Sequence, residues 1–243
     1  MTAPGPSPAR SSLAPPKGRW LYAVARTLVV VFDKLFWRVT VEGGQHVPAG
    51  PFVLAPVHRS NVDTPLVAAV TPRRLRYMGK QEMWKVRPIG WLFSAFGSFP
   101  VDRGRADRDA LRRCIEVLAE GDPLVIFPEG TRRSGPVVED LFEGAAYIAT
   151  KAGVPIVPVG IGGSEAAMPK GARMIKPAKV HLVVGPPLQA EPSTTGRVAR
   201  SAIHDLTDRL RHELQRLFDE AQAKAGRPNP APLPPAGRTT LDR

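Results

Sequence analysis

From Arg38 onward, short runs of apolar and β-branched residues alternate with stretches whose apolar residues recur at helical spacing. Runs at 38–41, 52–57, 75–78, 98–101, 124–127, 156–159 and 180–184 read as strands, and 64–70, 82–95, 106–120, 140–152 and 196–224 read as helices. Strands that alternate with helices in this way predict an α/β class protein, a single domain with a mixed sheet and flanking helices. The order of the strands is not legible in the pattern. In the last helix Val198, Ile203, Leu206, Leu210, Leu214 and Leu217 form the buried stripe, and His204 and His212 fall outside it, on the surface.

The ends of the chain have a different composition. Residues 1–18 are rich in Pro, Ser, Ala and Gly without the basic and apolar segments of a secretory signal, and read as a disordered lead. Residues 226–243 carry Pro228, Pro230, Pro232, Pro234 and Pro235 and read as a Pro-rich disordered tail. Between the lead and the first strand, residues 19–37 are strongly apolar but interrupted by Arg26, Asp33 and Lys34, which makes a poor membrane span. On a helix these three share one face, largely opposite Trp20, Leu21, Val24, Leu28, Val31, Leu35 and Phe36. The expectation is an amphipathic helix lying in a membrane interface, with Trp20, Tyr22 and Trp37 at headgroup level. The alternative is a helix packed on the core.

His58 and Asp63 are separated by four residues in a segment that follows the apolar run Phe52-Val53-Leu54-Ala55. Imidazole is the side chain best matched to removing a proton near neutral pH, and a carboxylate on its other nitrogen fixes the tautomer. On a continuous helix the two would point about 140° apart, so they meet only across a turn. Pro65 predicts that turn: it suits a first helical turn capped by Asp63 or Thr64, leaving His58 in the loop between strand and helix. Arg103 closes the run Gly97-Ser98-Phe99-Pro100-Val101-Asp102-Arg103, where its planar fork suits a phosphate. A second cluster, Glu129-Gly130-Thr131-Arg132, follows the apolar strand 124–127. There Gly130 permits close backbone approach, Thr131 offers a hydroxyl and an amide, and Arg132 adds another anion-binding fork. Glu129 can hold a substrate hydroxyl or anchor an arginine.

The formal net charge of +12 calls for an anionic partner, and the excess lies between Arg73 and Arg113. No zinc-finger spacing, RNP-like aromatic pattern or helix-turn-helix accompanies it, so no nucleic acid is expected, and a membrane surface or a phosphorylated ligand is favoured. Paired cysteines and HExxH are absent, so no metal site is expected. The single cysteine, Cys114, excludes an intrachain disulfide and fits a reduced compartment and a packing role.

The motifs HRSNVD, FPVDR, FPEGTR and VPIVPV follow one another in that order over residues 38–188. In this the chain resembles the glycerolipid acyltransferase family typified by lysophosphatidic acid acyltransferases. The resemblance implies an acyltransferase domain over 38–225, His58 and Asp63 as the catalytic pair, and Arg103, Glu129, Gly130, Thr131 and Arg132 as acceptor-binding residues. It also implies acyl-CoA or acyl carrier protein as co-substrate with no further cofactor. The implied reaction acylates the sn-2 hydroxyl of 1-acyl-sn-glycerol-3-phosphate, giving phosphatidic acid at the cytoplasmic face of the cell membrane, with the protein peripheral or monotopic there. Two positions depart from the family pattern: Arg133 stands where many members carry serine, and Glu143 where a basic residue commonly precedes the glycine. Glycerol-3-phosphate, another lysophospholipid or a glycolipid therefore stays open as acceptor. A non-catalytic basic protein that binds anionic membranes is the reading from a different class.

Overall fold

The computed structural model describes residues 18–80, 84–85, 94, 97–101, 108–189 and 199–230. Residues 1–17, Arg103, most of the candidate helix 82–95 and the tail beyond 230 lie outside them. The strands are β1 (Thr40–Glu42), β2 (Val53–Pro56), β3 (Arg76–Lys80), β4 (Ser98–Val101), β5 (Leu124–Val125), β6 (Ile156–Gly162) and β7 (His181–Val184). They form one seven-stranded sheet in the order β1-β7-β6-β2-β5-β3-β4. The five strands from β6 to β4 are parallel, whereas β7 runs antiparallel to β6 and β1 runs parallel to β7. The sheet is mixed, as expected. Every residue of β2 and β6 is buried, which is why their sequences read as continuous apolar runs and not as alternation.

The helices are α1 (Gly18–Phe36), α2 (Asp63–Leu66), α3 (Arg108–Ala119), α4 (Gly144–Ala152), α5 (Ser164–Ala167) and α6 (Arg200–Lys224). The predicted stripe of α6 is buried from Ile203 through Leu206, Leu210 and Leu214 to Leu217, together with Phe218 and Ala221, while His204 is exposed. It packs on β6 at backbone distance, because a Cβ on Gly160 would sit 2.2 Å from the Leu217 carbonyl oxygen and one on Gly162 would sit 2.1 Å from that of Ala221. Glycine at both positions is what brings the helix against the strand. Cys114 has the expected packing role: it is fully buried beside Met78, and burial pushes its thiol up to about 12.

β6 runs three residues beyond its expected end, to Gly162, the helix expected over 64–70 is α-helical only over Asp63–Leu66, and β5 and α1 also depart from expectation. β5 ends at Val125, although Ile126 still donates to the Leu54 carbonyl at 2.9 Å; Phe127 leaves the ladder and Pro128 has no N–H to extend it. In α1 Arg26 and Asp33 of the polar face turn inward, while Lys34 stays exposed. Arg26 Nε donates to the carbonyls of Ala68 and Thr71 at 2.9 Å each, and Asp33 is fully buried. Tyr22 and Trp37, expected at headgroup level, belong to the protein interior: the Tyr22 hydroxyl accepts from the Leu75 amide, and the Trp37 indole donates to the Lys176 carbonyl. Their polar tips find backbone partners there, which makes burial of the rings favourable. Trp20, Val24, Leu28, Val31, Phe32 and Leu35 face outward instead. Among the described residues no helix is long and apolar enough to cross a membrane.

Among the described residues the Asp33 carboxylate oxygens have no hydrogen-bond partner, and desolvation raises the group from 3.8 to about 7. The folded state then holds a proton that the unfolded chain has lost, so Asp33 favours folding fully below pH 3.8, and this contribution fades as pH rises through about 7. Asp33→Asn should therefore gain stability over the wild type at pH 8 by up to about 4 kcal/mol, with the difference shrinking towards pH 5. Urea unfolding at the two pH values measures this.

Candidate active site

The C-terminal ends of adjacent parallel strands carry the two polar clusters. β2 leads to His58 and β5 leads to Glu129, with Val53 opposite Leu124 and Leu54 opposite Val125. Because β6 lies on the far side of β2 from β5, the chain between β5 and β6 must cross β2. The Arg133 amide donates to the His58 carbonyl at 2.9 Å, where the two segments meet. Crevices of this kind, above strand ends where connections part to opposite sides, are the usual ligand sites of open α/β sheets.

His58 Nδ1 lies 3.0 Å from Asp63 Oδ2, with the imidazole partly exposed and the carboxylate fully buried. The pair meets across the turn that the spacing demanded, but the turn is built differently from the prediction. α2 begins at Asp63, with Val62 before it and no side-chain cap. The Asp63 carboxylate turns back, and the same Oδ2 accepts the amides of Arg59 at 2.7 Å and Ser60 at 2.6 Å. Three donors converge on one oxygen. They hold the carboxylate aimed at Nδ1, so a neutral His58 that donates to it carries its hydrogen on Nδ1 and presents the Nε2 lone pair outward. Phe127 stacks on the imidazole with ring centroids 4.1 Å apart, limiting its rotation.

Glu129 is fully buried. One oxygen accepts the His58 amide at 2.8 Å and the other accepts from the Arg59 guanidinium, so of its two predicted uses the geometry displays the anchoring of an arginine. Arg59 also donates to the Val137 carbonyl at 3.0 Å and lies 4.7 Å over the Phe218 ring of α6. Gln215, one turn earlier on α6, accepts the Val138 amide at 2.7 Å and donates to the Pro136 carbonyl at 2.9 Å. The helix thereby fixes the loop that crosses β2. Gly130 has φ +67°, and a Cβ there would meet the Phe142 ring at 2.5 Å, so the turn requires glycine. Thr131 is exposed and Arg132 half-buried. Arg133, one of the two departures, pairs with Glu139 at 2.9 Å.

Among the described residues the Arg132 guanidinium has no ion-pair or hydrogen-bond partner, in contrast with Arg73, Arg76 and Arg133. Arg73 serves the carbonyls of Pro48, Gly50 and Gly121, and Arg76 is buried against Asp122, so part of the basic region is spent on structure. β4 ends at Val101; Arg103 itself lies outside the described residues. Among the described residues no cluster of three or more His, Cys, Asp or Glu side chains could hold a metal ion.

Sequence reasoning missed Arg59, Phe127, Gln215 and Phe218. Arg59 stands inside the first motif, but a buried arginine has no mark in sequence that separates it from a surface one. The other three contribute through contacts between distant segments, which spacing does not record.

An imidazole held by a buried carboxylate lies beside a loop whose Arg132 guanidinium has no partner among the described residues, an arrangement chemically able to activate a hydroxyl near an anionic group. The acyltransferase family model matches residues 38–162. A 1-acyl-sn-glycerol-3-phosphate acyltransferase of Bacillus subtilis is 32% identical over 170 residues, covering 69% of this chain and 82% of that protein. A chloroplastic 1-acyl-sn-glycerol-3-phosphate acyltransferase of Arabidopsis thaliana is 28% identical over 71% of this chain, which spans 50% of that longer protein. Among solved structures, the 1-acyl-sn-glycerophosphate acyltransferase PlsC of Thermotoga maritima aligns with a TM-score of 0.71 at 28% identity, covering 85% of this chain and 81% of that one. The chain belongs to the acyltransferase family.

Removing one partner of a buried ion pair leaves an uncompensated charge, at a cost of about 3–5 kcal/mol, whereas an apolar pair of similar volume is close to neutral. Glu129→Ala should lose about that much stability in urea unfolding. Arg59→Met combined with Glu129→Leu should recover most of it.

Proposed function

We propose that the protein transfers a fatty acyl group from acyl-CoA or acyl carrier protein to the sn-2 hydroxyl of 1-acyl-sn-glycerol-3-phosphate, giving phosphatidic acid. The observation that carries this reading is the bond from His58 Nδ1 to the buried Asp63 carboxylate, which leaves Nε2 as the proton acceptor. His58 removes the hydroxyl proton as that oxygen attacks the thioester carbonyl carbon. The tetrahedral intermediate collapses with cleavage of the C–S bond, and the imidazolium returns its proton to the departing thiolate. No acyl-enzyme is formed and no cofactor takes part. Asp63 stabilises the transient imidazolium, and amides of the surrounding loops face the oxyanion. Arg132 and, by family resemblance, Arg103 hold the acceptor phosphate together with Gly130 and Thr131. Glu129 acts through Arg59 and the His58 amide as a positioning residue. The outward face of α1 rests on the cytoplasmic surface of the membrane, where the acceptor resides.

The reading is supported by the names of the relatives, all acyltransferases of 1-acyl-sn-glycerol-3-phosphate. Purified protein should release thiol from acyl-CoA and form phosphatidic acid, with lower rates on glycerol-3-phosphate and on lysolipids that lack a phosphomonoester. A preference for one of those acceptors would replace the proposed substrate, and the absence of transfer from either donor to any acceptor would leave only a membrane-binding role. His58→Ala should lower kcat by about 100- to 10,000-fold with little change in acceptor KM. Arg132→Ala should act in the opposite sense: losing a charge-assisted contact of about 1.5–3 kcal/mol raises acceptor KM about 10- to 100-fold. Steady-state kinetics separates the two effects.

A further inference from the structure

We infer that the loop between α5 and β7, residues 169–177, is a second bilayer-contacting element that meets an anionic phospholipid surface together with α1. The inference extends the membrane association proposed for α1 and rests on it. The loop presents Met174, 76% exposed, beside Ile175, 41% exposed. Lys170, Arg173, Lys176 and Lys179 surround this pair, and no acidic residue occurs between Lys170 and Lys179. All four cations lie on the surface. An apolar tip ringed by cations on flexible stems matches the boundary of an anionic bilayer, which offers apolar depth and diffuse negative charge at once.

The loop is joined to α1. The Trp37 indole donates to the Lys176 carbonyl at 2.9 Å, and the Val180 amide donates to the Trp37 carbonyl at 3.0 Å. Phe32, on the outward face of α1, packs edge-on against Trp37 with centroids 5.2 Å apart. Phe32 on the exposed face of α1 thus packs on the buried Trp37, whose indole holds the base of the loop. At its other end the loop is tied to the candidate active site, because Ser60 Oγ donates to the Met168 carbonyl at 2.7 Å. Ser60 also gives its amide to Asp63. A bilayer held by both elements is thus tied through one side chain to the turn that orients His58.

The test uses the full chain with Cys114→Ala and a single environment-sensitive fluorophore at Met174→Cys or Leu28→Cys, mixed with vesicles of phosphatidylcholine and phosphatidylglycerol. Both probes should shift to the blue and be quenched by lipids carrying a doxyl group in the acyl chain. The triple variant Lys170→Ala, Arg173→Ala, Lys179→Ala should partition about 100-fold more weakly, at about fivefold per basic side chain. A response at position 28 with position 174 still aqueous would overturn the loop's role and leave that of α1 standing. No vesicle binding by either labelled protein would remove both. A blue shift at position 174 without vesicles, growing with protein concentration, would make the patch a face between copies of the chain and overturn the inference.

Discussion

Arg59 and Glu129 form a buried ion pair that joins the two segments carrying the site, and of its polar atoms only Arg59 Nε lacks a hydrogen-bond partner among the described residues. The carboxylate takes the guanidinium on one oxygen and the His58 amide on the other, while the guanidinium reaches the Val137 carbonyl and lies over Phe218. Two charges removed from water stabilise a structure only when their remaining hydrogen-bonding capacity is met, and the gain lies in specifying one geometry. Here that geometry is the position of the His58 backbone relative to the loop after β5. Asp63 then orients the ring from the opposite side, using amides of the same turn.

Topology makes this arrangement available. Because β5 and β6 flank β2, the chain between them has to cross β2; its first part meets the end of β2 at the Arg133–His58 backbone bond, and α6 holds the following loop through Gln215. The close seating of α6 on Gly160 and Gly162 brings Phe218 under Arg59. Helix, strand and loop therefore act as one support for a short polar turn. Such a turn alone has too few contacts to hold two side chains in register.

The fold was legible where burial imposes a pattern on sequence. β2 and β6, covered on both faces, were read within about two residues at their starts, and the α6 stripe was read almost position by position. β5 ended early because Pro128 removes a donor, and strand order was out of reach because it depends on pairing between distant segments. The apolar face of α1 was read as turned away from the core, and Trp20, Val24, Leu28, Val31 and Leu35 are exposed, but Tyr22 and Trp37 were expected at headgroup level and are buried. Periodicity separates Arg26 and Asp33 from Leu28 and Leu35, but it cannot tell that Arg26 caps carbonyls at 68 and 71. At the site, His58, Asp63 and the block from Glu129 to Arg132 were legible because dense polar residues after apolar strands are rare. The division of labour within the block was not, because Glu129 and Arg132 differ only in the partners that folding brings to one and not to the other.

The central claim is that His58 acts as a base on a bound hydroxyl and never carries the acyl group. Rapid mixing of the purified protein with radiolabelled acyl-CoA, with and without 1-acyl-sn-glycerol-3-phosphate, tests it most directly. The account predicts thiol release only when the acceptor is present, and no protein-bound label at any time. A stoichiometric burst of thiol without acceptor, accompanied by labelled protein, would contradict it.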